Sequence, residues 1–304
     1  MPNYTLPDGE TVKNKVGARS HAELETIEVD FVKARQLEHA ANPRIARTFD
    51  AAHLKAIHRQ LFQDVYEWAG RTRDEQVRLS DRTIASEPLL YRPGSKPFAA
   101  GARINDGLDD LAARLRDADY LRGLSRTEFA TRAASVLAEA NGIHAFREGN
   151  GRTQRIFLQE LAASAGHKLE FRVVSRERMV QASIAAHEDR DIGPMRRMFD
   201  EISNPNRVAA LTPAIAFLNS AKYPWNDRYV ATLEPGHVQD LTVAGVSGAN
   251  FMARTDTSIL IGQRADLPSP DTASGARVKV FPSRWPEPDD QPTPSTRLGP
   301  SLGP

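Results

Sequence analysis

Apolar side chains recur at helical spacing from about residue 20 to 206 and in short alternating runs beyond it, so a helical body followed by a β-rich segment is expected. Residues 20–41 carry Leu24, Ile27, Phe31 and Leu37 at roughly helical spacing and stop before Asn42-Pro43. That predicts a helix buried along those four positions. Asp50 stands as an N-cap ahead of Leu54, Ile57, Leu61 and Phe62 and predicts a second helix, running towards Tyr66-Glu67-Trp68-Ala69-Gly70. Further helices are expected at about 103–119, 126–141, 150–165, 175–187 and 192–202, with a short one at 212–220.

Between Arg71 and Gly101 the pattern breaks. Glu75-Gln76-Val77-Arg78-Leu79 alternates as a strand does, and residues 91–98 are rich in turn formers. A hairpin flap is predicted, with 80–95 between its arms. Beyond Asn204-Pro205-Asn206, the runs 228–233, 238–246, 250–262 and 277–281 read as strands divided by Gly, Pro and Asp turns. They fit a small all-β barrel, with an oligonucleotide/oligosaccharide-binding (OB) topology as one option. From Pro286 on, Pro, Ser and Gly dominate, as in a disordered linker leading into a longer protein. The expected order is an N-terminal extension at 1–19, a helical domain at 20–206 with its flap at about 71–101, a linker helix and β domain at 207–285, and the tail at 286–304.

Composition narrows the chemistry. Forty Lys+Arg stand against 39 Asp+Glu, so no basic excess points to nucleic acid, and any anion site must be local. The absence of cysteine excludes disulfides, thiolate metal sites and a Cys nucleophile. No apolar run is long enough to cross a bilayer, and the opening residues are polar, so a soluble protein without a membrane partner is expected.

The informative segment is His144-Ala145-Phe146-Arg147-Glu148-Gly149-Asn150-Gly151-Arg152-Thr153-Gln154-Arg155. Gly149-Asn150-Gly151 is a turn that leads into an apolar-periodic helix, and backbone N–H groups at a glycine-lined helix start form an anion nest. Arg152 and Arg155 lie three apart, so both guanidinium groups can lean toward one anion. Glu148 beside such a nest would repel a phosphate unless a cation bridges them, and Mg²⁺ is the usual bridge. An imidazole titrates near neutrality, so His144 can take a hydroxyl proton and return it. Base, metal carboxylate, nest and arginines together specify phosphoryl or nucleotidyl transfer.

This segment resembles the Fic family signature H-x-F-x-[D/E]-G-N-G-R-x-x-R at every defined position, and residues 54–70 resemble that family's helix leading into its flap. The resemblance implies a protein adenylyltransferase that moves AMP from ATP-Mg²⁺ onto a Tyr, Thr or Ser hydroxyl of a target. By position it makes His144 the base and Phe146 a core anchor within the nucleotide-binding set. Glu148 becomes the Mg²⁺ ligand, Gly149, Asn150 and Gly151 the anion hole, and Arg152 and Arg155 the holders of the outer phosphates. It makes Val77 and Leu79 the flap arm that docks an extended target segment. The domain order also resembles the Bartonella effector proteins, which a type IV system delivers from the bacterial cytoplasm into host cells. Ala145 departs from the family's usual Pro, and the flap is longer than usual, which suggests a folded target such as a small GTPase. No [S/T]-x-x-x-E-[G/N] string follows the family's built-in inhibitory pattern, which implies a separate small antitoxin-like inhibitor or none.

Blander readings hold elsewhere. Arg172, Arg176 and Arg178 read as a solvated face, Tyr66 and Trp68 as core, and His53, His58, His167, His187 and His237 are assigned no role. Two alternatives to AMP transfer stay open: the same fold using another nucleotide or moving phosphate, and a scaffold that only binds partners. An intact His144, Glu148 and Arg155 argue against the scaffold, and Gly151 with Arg155 argues against phosphate transfer.

Overall fold

A computed structural model describes residues 4–91 and 94–288, and the chain divides into two compact units. The first joins Met1–Leu121 to Ser135–Leu161; the second joins Arg122–Ala134 to the chain from Ala162 on.

In the first unit, helix α1 (His21–Ala41) starts where Ser20 accepts a hydrogen bond from the Glu23 N–H, while the Glu23 carboxylate reaches back to the Arg19 N–H. Its buried face is Leu24, Glu28, Val32 and His39. Phe31 and Leu37, expected in the core, are exposed. The reason is chemical: two positions of the buried stripe carry polar side chains with partners inside, so an apolar-only pattern picks the wrong side. Helix α2 (Ala51–Phe62) begins at Asp50, whose carboxylate accepts from the His53 N–H at 2.9 Å, and it buries His53, Leu54, Ile57, His58, Leu61 and Phe62. Helix α3 (Arg103–Asp117) buries Ile104, Leu108, Leu111 and Leu115 at the expected spacing. Helices α4 (Arg126–Ile143) and α5 (Asn150–Ser164) flank the signature loop.

The flap is smaller than its sequence suggests. Strand β1 (Val77–Arg78) pairs antiparallel with β2 (Ile84–Ala85), so only residues 79–83 separate the arms. Leu79 donates its N–H to the Thr83 carbonyl at 2.9 Å and closes the turn. The second arm comes earlier than the turn-rich stretch suggests because Ser80 to Thr83, a polar run without Gly or Pro, carries no strong turn signal. Lys13 supports the turn from the N-terminal segment, 2.8 Å from both Asp81 and Thr83.

In the second unit, helices α6 (Arg176–Ile184), α7 (Gly193–Ser203) and α8 (Pro205–Ser220) precede the sheet. Helix α8 starts earlier than expected: Pro205 occupies the first helical turn, where its missing N–H costs nothing, and Asn204 caps it by accepting from Asn206 and Arg207. Strands β3 (Tyr229–Thr232), β4 (Gln239–Ser247), β5 (Asn250–Arg254), β6 (Ser258–Gln263) and β7 (Arg277–Val280) form one sheet in the order β3-β6-β5-β4-β7. Only β3 and β6 run parallel. The edge strands β3 and β7 do not pair, so the described strands form an open sheet and no closed barrel.

Arg178 is not on a solvated face. It is buried, ion-paired to the fully buried Glu201, and within 3.2 Å of the Val230 carbonyl. Glu201 also accepts from the Thr232 N–H at 2.6 Å and pairs with Arg207, so helices α6, α7 and α8 all converge on strand β3 through charge. Of the tail expected from 286, the Pro286 carbonyl accepts from Asn204 and Asn206, and Glu287 pairs with Arg126 at 2.6 Å. The remainder of that tail, 289–304, lies outside the described residues.

Candidate active site

The signature loop leaves the C-terminus of α4 and enters the N-terminus of α5. His144 donates its N–H to the Ala140 carbonyl at 3.0 Å and takes a φ of +46°, the left-handed conformation that ends many helices and that glycine usually occupies. Ala145 and Phe146 turn inward and are buried. The Phe146 ring stacks on the His58 imidazole, with centroids 3.9 Å apart and planes 18° from parallel.

His58 is more than satisfied core. Its Nδ1 accepts from the Gly70 N–H at 2.8 Å, which leaves Nε2 to donate to the Glu148 carbonyl at 3.0 Å. Burial pushes its pKa down to about 3, so it stays neutral and holds one tautomer. The residue therefore fixes the Glu148 end of the loop against the root of the flap.

Gly149 has a φ of +83°, and a Cβ there would fall 2.4 Å from the Phe62 ring. The position admits glycine alone. Asn150 opens α5 and also works within the loop. Its carboxamide accepts from the Phe146 N–H at 2.9 Å and donates to the Phe146 carbonyl at 2.7 Å, so the side chain closes the loop on itself and keeps one amide N–H to spare. What the turn offers an anion is backbone: the first N–H groups of a helix have no intrahelical acceptor.

The two arginines also part company. Arg152 pairs with Glu28 of α1, lies 3.9 Å from a Glu148 oxygen, and rests over the Phe62 ring at 4.8 Å. Glu28 in turn accepts from the Tyr66 hydroxyl. Arg152 is thus held by carboxylates. Arg155 has no carboxylate partner among the described residues, and its Nη1 would lie 3.6 Å from a Cβ at Gly151. Burial, and then the charge of Arg152, lower its pKa, the mark of an unneutralised cation. A guanidinium folded over the glycine of a helix N-terminus is a strong anion receptor. Glu148, half exposed at 45%, has one oxygen 3.2 Å from the Gly149 N–H.

Val77 is partly buried on β1, while Leu79 is buried and its side chain faces inward, so Leu79 does not present itself to a target. Sequence reasoning missed Phe98, whose ring stacks on the His144 imidazole at 4.1 Å and 15°. It also missed Arg73, Glu28 and His58, each far along the chain from the residues it supports. Tyr66 and Trp68 are core, as expected, stacked at 4.3 Å.

The loop thus gathers a histidine at a helix C-terminus, a glycine-lined helix start with a guanidinium over it, and an accessible carboxylate. The description of the Fic/DOC family matches residues 48–162, and the chain belongs to that family. It is 36% identical over 268 residues to a protein adenylyltransferase of Bartonella henselae, covering 88% of this chain and 49% of that one. It is 31% identical to the probable protein adenylyltransferase Fic of Escherichia coli, over 59% of this chain and 82% of the relative. Among solved structures, the type IV secretion system effector protein BepA aligns with a TM-score of 0.88 at 32% identity, over 93% of this chain and 97% of that one. BepC of Bartonella tribocorum with bound AMPPNP aligns at 0.64 and 35% identity, over 66% and 96%. The chain spans about half and about a third of the first two curated relatives it matches, 49% and 35% of their lengths.

Proposed function

We propose that the chain is a protein adenylyltransferase that moves AMP from ATP onto a hydroxyl of another protein. The observation that carries the reading is the Arg155 guanidinium, without a carboxylate partner among the described residues, folded over Gly151 at the start of α5. It supplies the positive charge that a triphosphate needs, and His144 stands at the other end of the loop that leads into α5. Relatives named as adenylyltransferases, and a BepC structure with AMPPNP, support the nucleotide class.

In this reading His144 takes the proton from the target hydroxyl as its oxygen bonds to the α-phosphorus. The bond from that phosphorus to the bridging oxygen breaks, and pyrophosphate leaves. The proton passes to the leaving side. Arg155 and the α5 N–H groups neutralise the charge that gathers on the outer phosphates. Glu148, a half-exposed carboxylate, would fit a magnesium ion carried by the nucleotide, whose phosphates supply most of such an ion's ligands. Such an ion would supply charge neutralisation. The target docks at the flap, with Val77 as a contact of the extended arm, and Leu79 supports that arm from within. A folded target such as a small GTPase, a small separate inhibitor, and delivery by type IV secretion all go with the effector-like reading. No helix of the described residues is long and apolar enough to cross a membrane.

The test uses ATP labelled at the α- or the γ-phosphate, added with a cell lysate. Label from the α position alone, lost in His144→Ala with ATP binding retained, is the expected result. Label from γ alone would replace the reading with phosphate transfer. Transfer that survives in His144→Ala would remove the base from the mechanism.

A further inference from the structure

We infer that Arg73 is a positioning residue for the catalytic base, locking the His144 loop to the root of the flap so that the imidazole is held both through its backbone and through its ring face. The inference rests on the transfer reading for what the imidazole does, and on geometry for how it is held. Arg73 is fully buried, and its guanidinium meets no carboxylate within ion-pair distance among the described residues. A guanidinium withdrawn from water without a counter-ion costs several kcal/mol unless its donors are filled.

Here two segments fill them with carbonyls. Nε donates to the His144 carbonyl at 2.9 Å. Nη1 donates to Glu87 at 3.0 Å and Pro88 at 2.8 Å, and Nη2 to Ala99. The Arg73 backbone N–H adds a bond to the Ala145 carbonyl at 2.9 Å. Five donors thus join the base loop to the chain that returns from the flap.

The owners of those carbonyls decide the role. A left-handed backbone at a non-glycine residue is disfavoured and persists only where its neighbours hold it. At His144 the N–H is tied to Ala140 and the carbonyl to Arg73, so the peptide groups on both sides of the base are fixed. Ala99, held by Nη2, directly follows Phe98, whose ring lies against the imidazole. The Ala99 N–H also donates to the Gly142 carbonyl at 3.0 Å. One side chain therefore sets the backbone of the base and the aromatic face against it. The phosphate end of the loop hangs from a different residue, His58. Loss of Arg73 is thus expected to disturb the base and spare the anion cup.

The test compares Arg73→Lys and Phe98→Leu in the full chain. Lysine keeps the charge, but one ammonium cannot span two segments as the planar fork does. The saturating rate of transfer from α-labelled ATP into a lysate should fall by about 10- to 100-fold in Arg73→Lys, with KM for ATP within about threefold of the parent. Phe98→Leu should show the same split. A second readout needs no activity: the His144 ring resonance, assigned by its loss in His144→Ala, should lose the ring-current shift from Phe98 in both variants. A rate and an ATP affinity that fall together, in step with a lowered melting temperature, would mean a structural role only. An unmoved resonance with an unchanged rate would also overturn the inference, and Phe98→Leu decides it should Arg73→Lys fail to fold. Absence of transfer in the parent protein would count against the transfer reading, and the ring resonance would still judge the positioning.

Discussion

Gly149 and Arg155 make the sharpest demands on single positions. A methyl group at 149 meets the Phe62 ring and a positive φ at once, so Gly149→Ala should lower stability by about 1–3 kcal/mol and abolish transfer. Thermal melting and the label assay check both, and a fully stable, active variant would contradict the placement of the loop. The two arginines should separate. Arg155→Gln is expected to raise KM for ATP by about 10- to 100-fold with little change in melting, since a hydrogen-bonded charge is worth about 1.5–3 kcal/mol. Arg152→Gln leaves Glu28 buried without its partner and should lower the melting temperature as well. His58 carries its own pH signature. Its folded pKa is depressed from 6.5 to about 3, so the unfolded chain binds a proton first, and stability is full above 6.5 and lost as pH falls through that window. His58→Gln should flatten that part of the melting curve.

Among elements, helices α1, α2 and α5 meet at Glu160. Its carboxylate lies 3.0 Å from the His39 Nε2 and 2.8 Å from the His53 Nε2, with Arg47 at 3.4 Å. Burial pushes this carboxyl up, but the hydrogen bonds from His39 and His53 outweigh it and bring the pKa down from 4.5 to about 2. A depressed carboxyl stabilises the fold above its unfolded pKa. That support is expected to vanish as pH falls from about 4.5 to 2, and Glu160→Gln should remove the dependence in a pH series of melting temperatures. The helices themselves were legible in the sequence because caps and apolar spacing are local: Ser20 and Asp50 mark two starts, and α3 buries the four leucine and isoleucine positions its spacing demands. The buried side of α1 was not legible, because Glu28 and His39 find partners on other elements, Arg152, Tyr66 and Glu160, and no local pattern reports that. The second arm of the flap was not legible for a related reason: a polar turn without Gly or Pro looks like loop until its partner strand is known.

For the whole molecule, the signature segment placed the loop, while the structure assigned its parts. His144, Glu148 and Arg155 stood out because one short segment, from the end of α4 to the second turn of α5, carries all three. Asn150 closes the loop on Phe146 and Arg152 pairs with Glu28 of α1, contacts that the spacing of the segment does not report. Arg73 and Phe98 stayed hidden, since their partners lie about 70 and 46 residues away and only the folded chain brings them together. In the second unit, Glu201 gathers Arg178, Arg207 and Thr232 out of water. Glu201→Gln should therefore destabilise that unit by about 3–5 kcal/mol, read as an earlier unfolding transition, because two guanidinium groups lose their buried counter-charge. The most direct test of the central claim is the mass of the modified residue on a protein treated with this chain and ATP. The account predicts an adenosine monophosphate adduct on a hydroxyl side chain, absent with His144→Ala. A phosphate adduct, or an adduct on a residue without a hydroxyl, would contradict it.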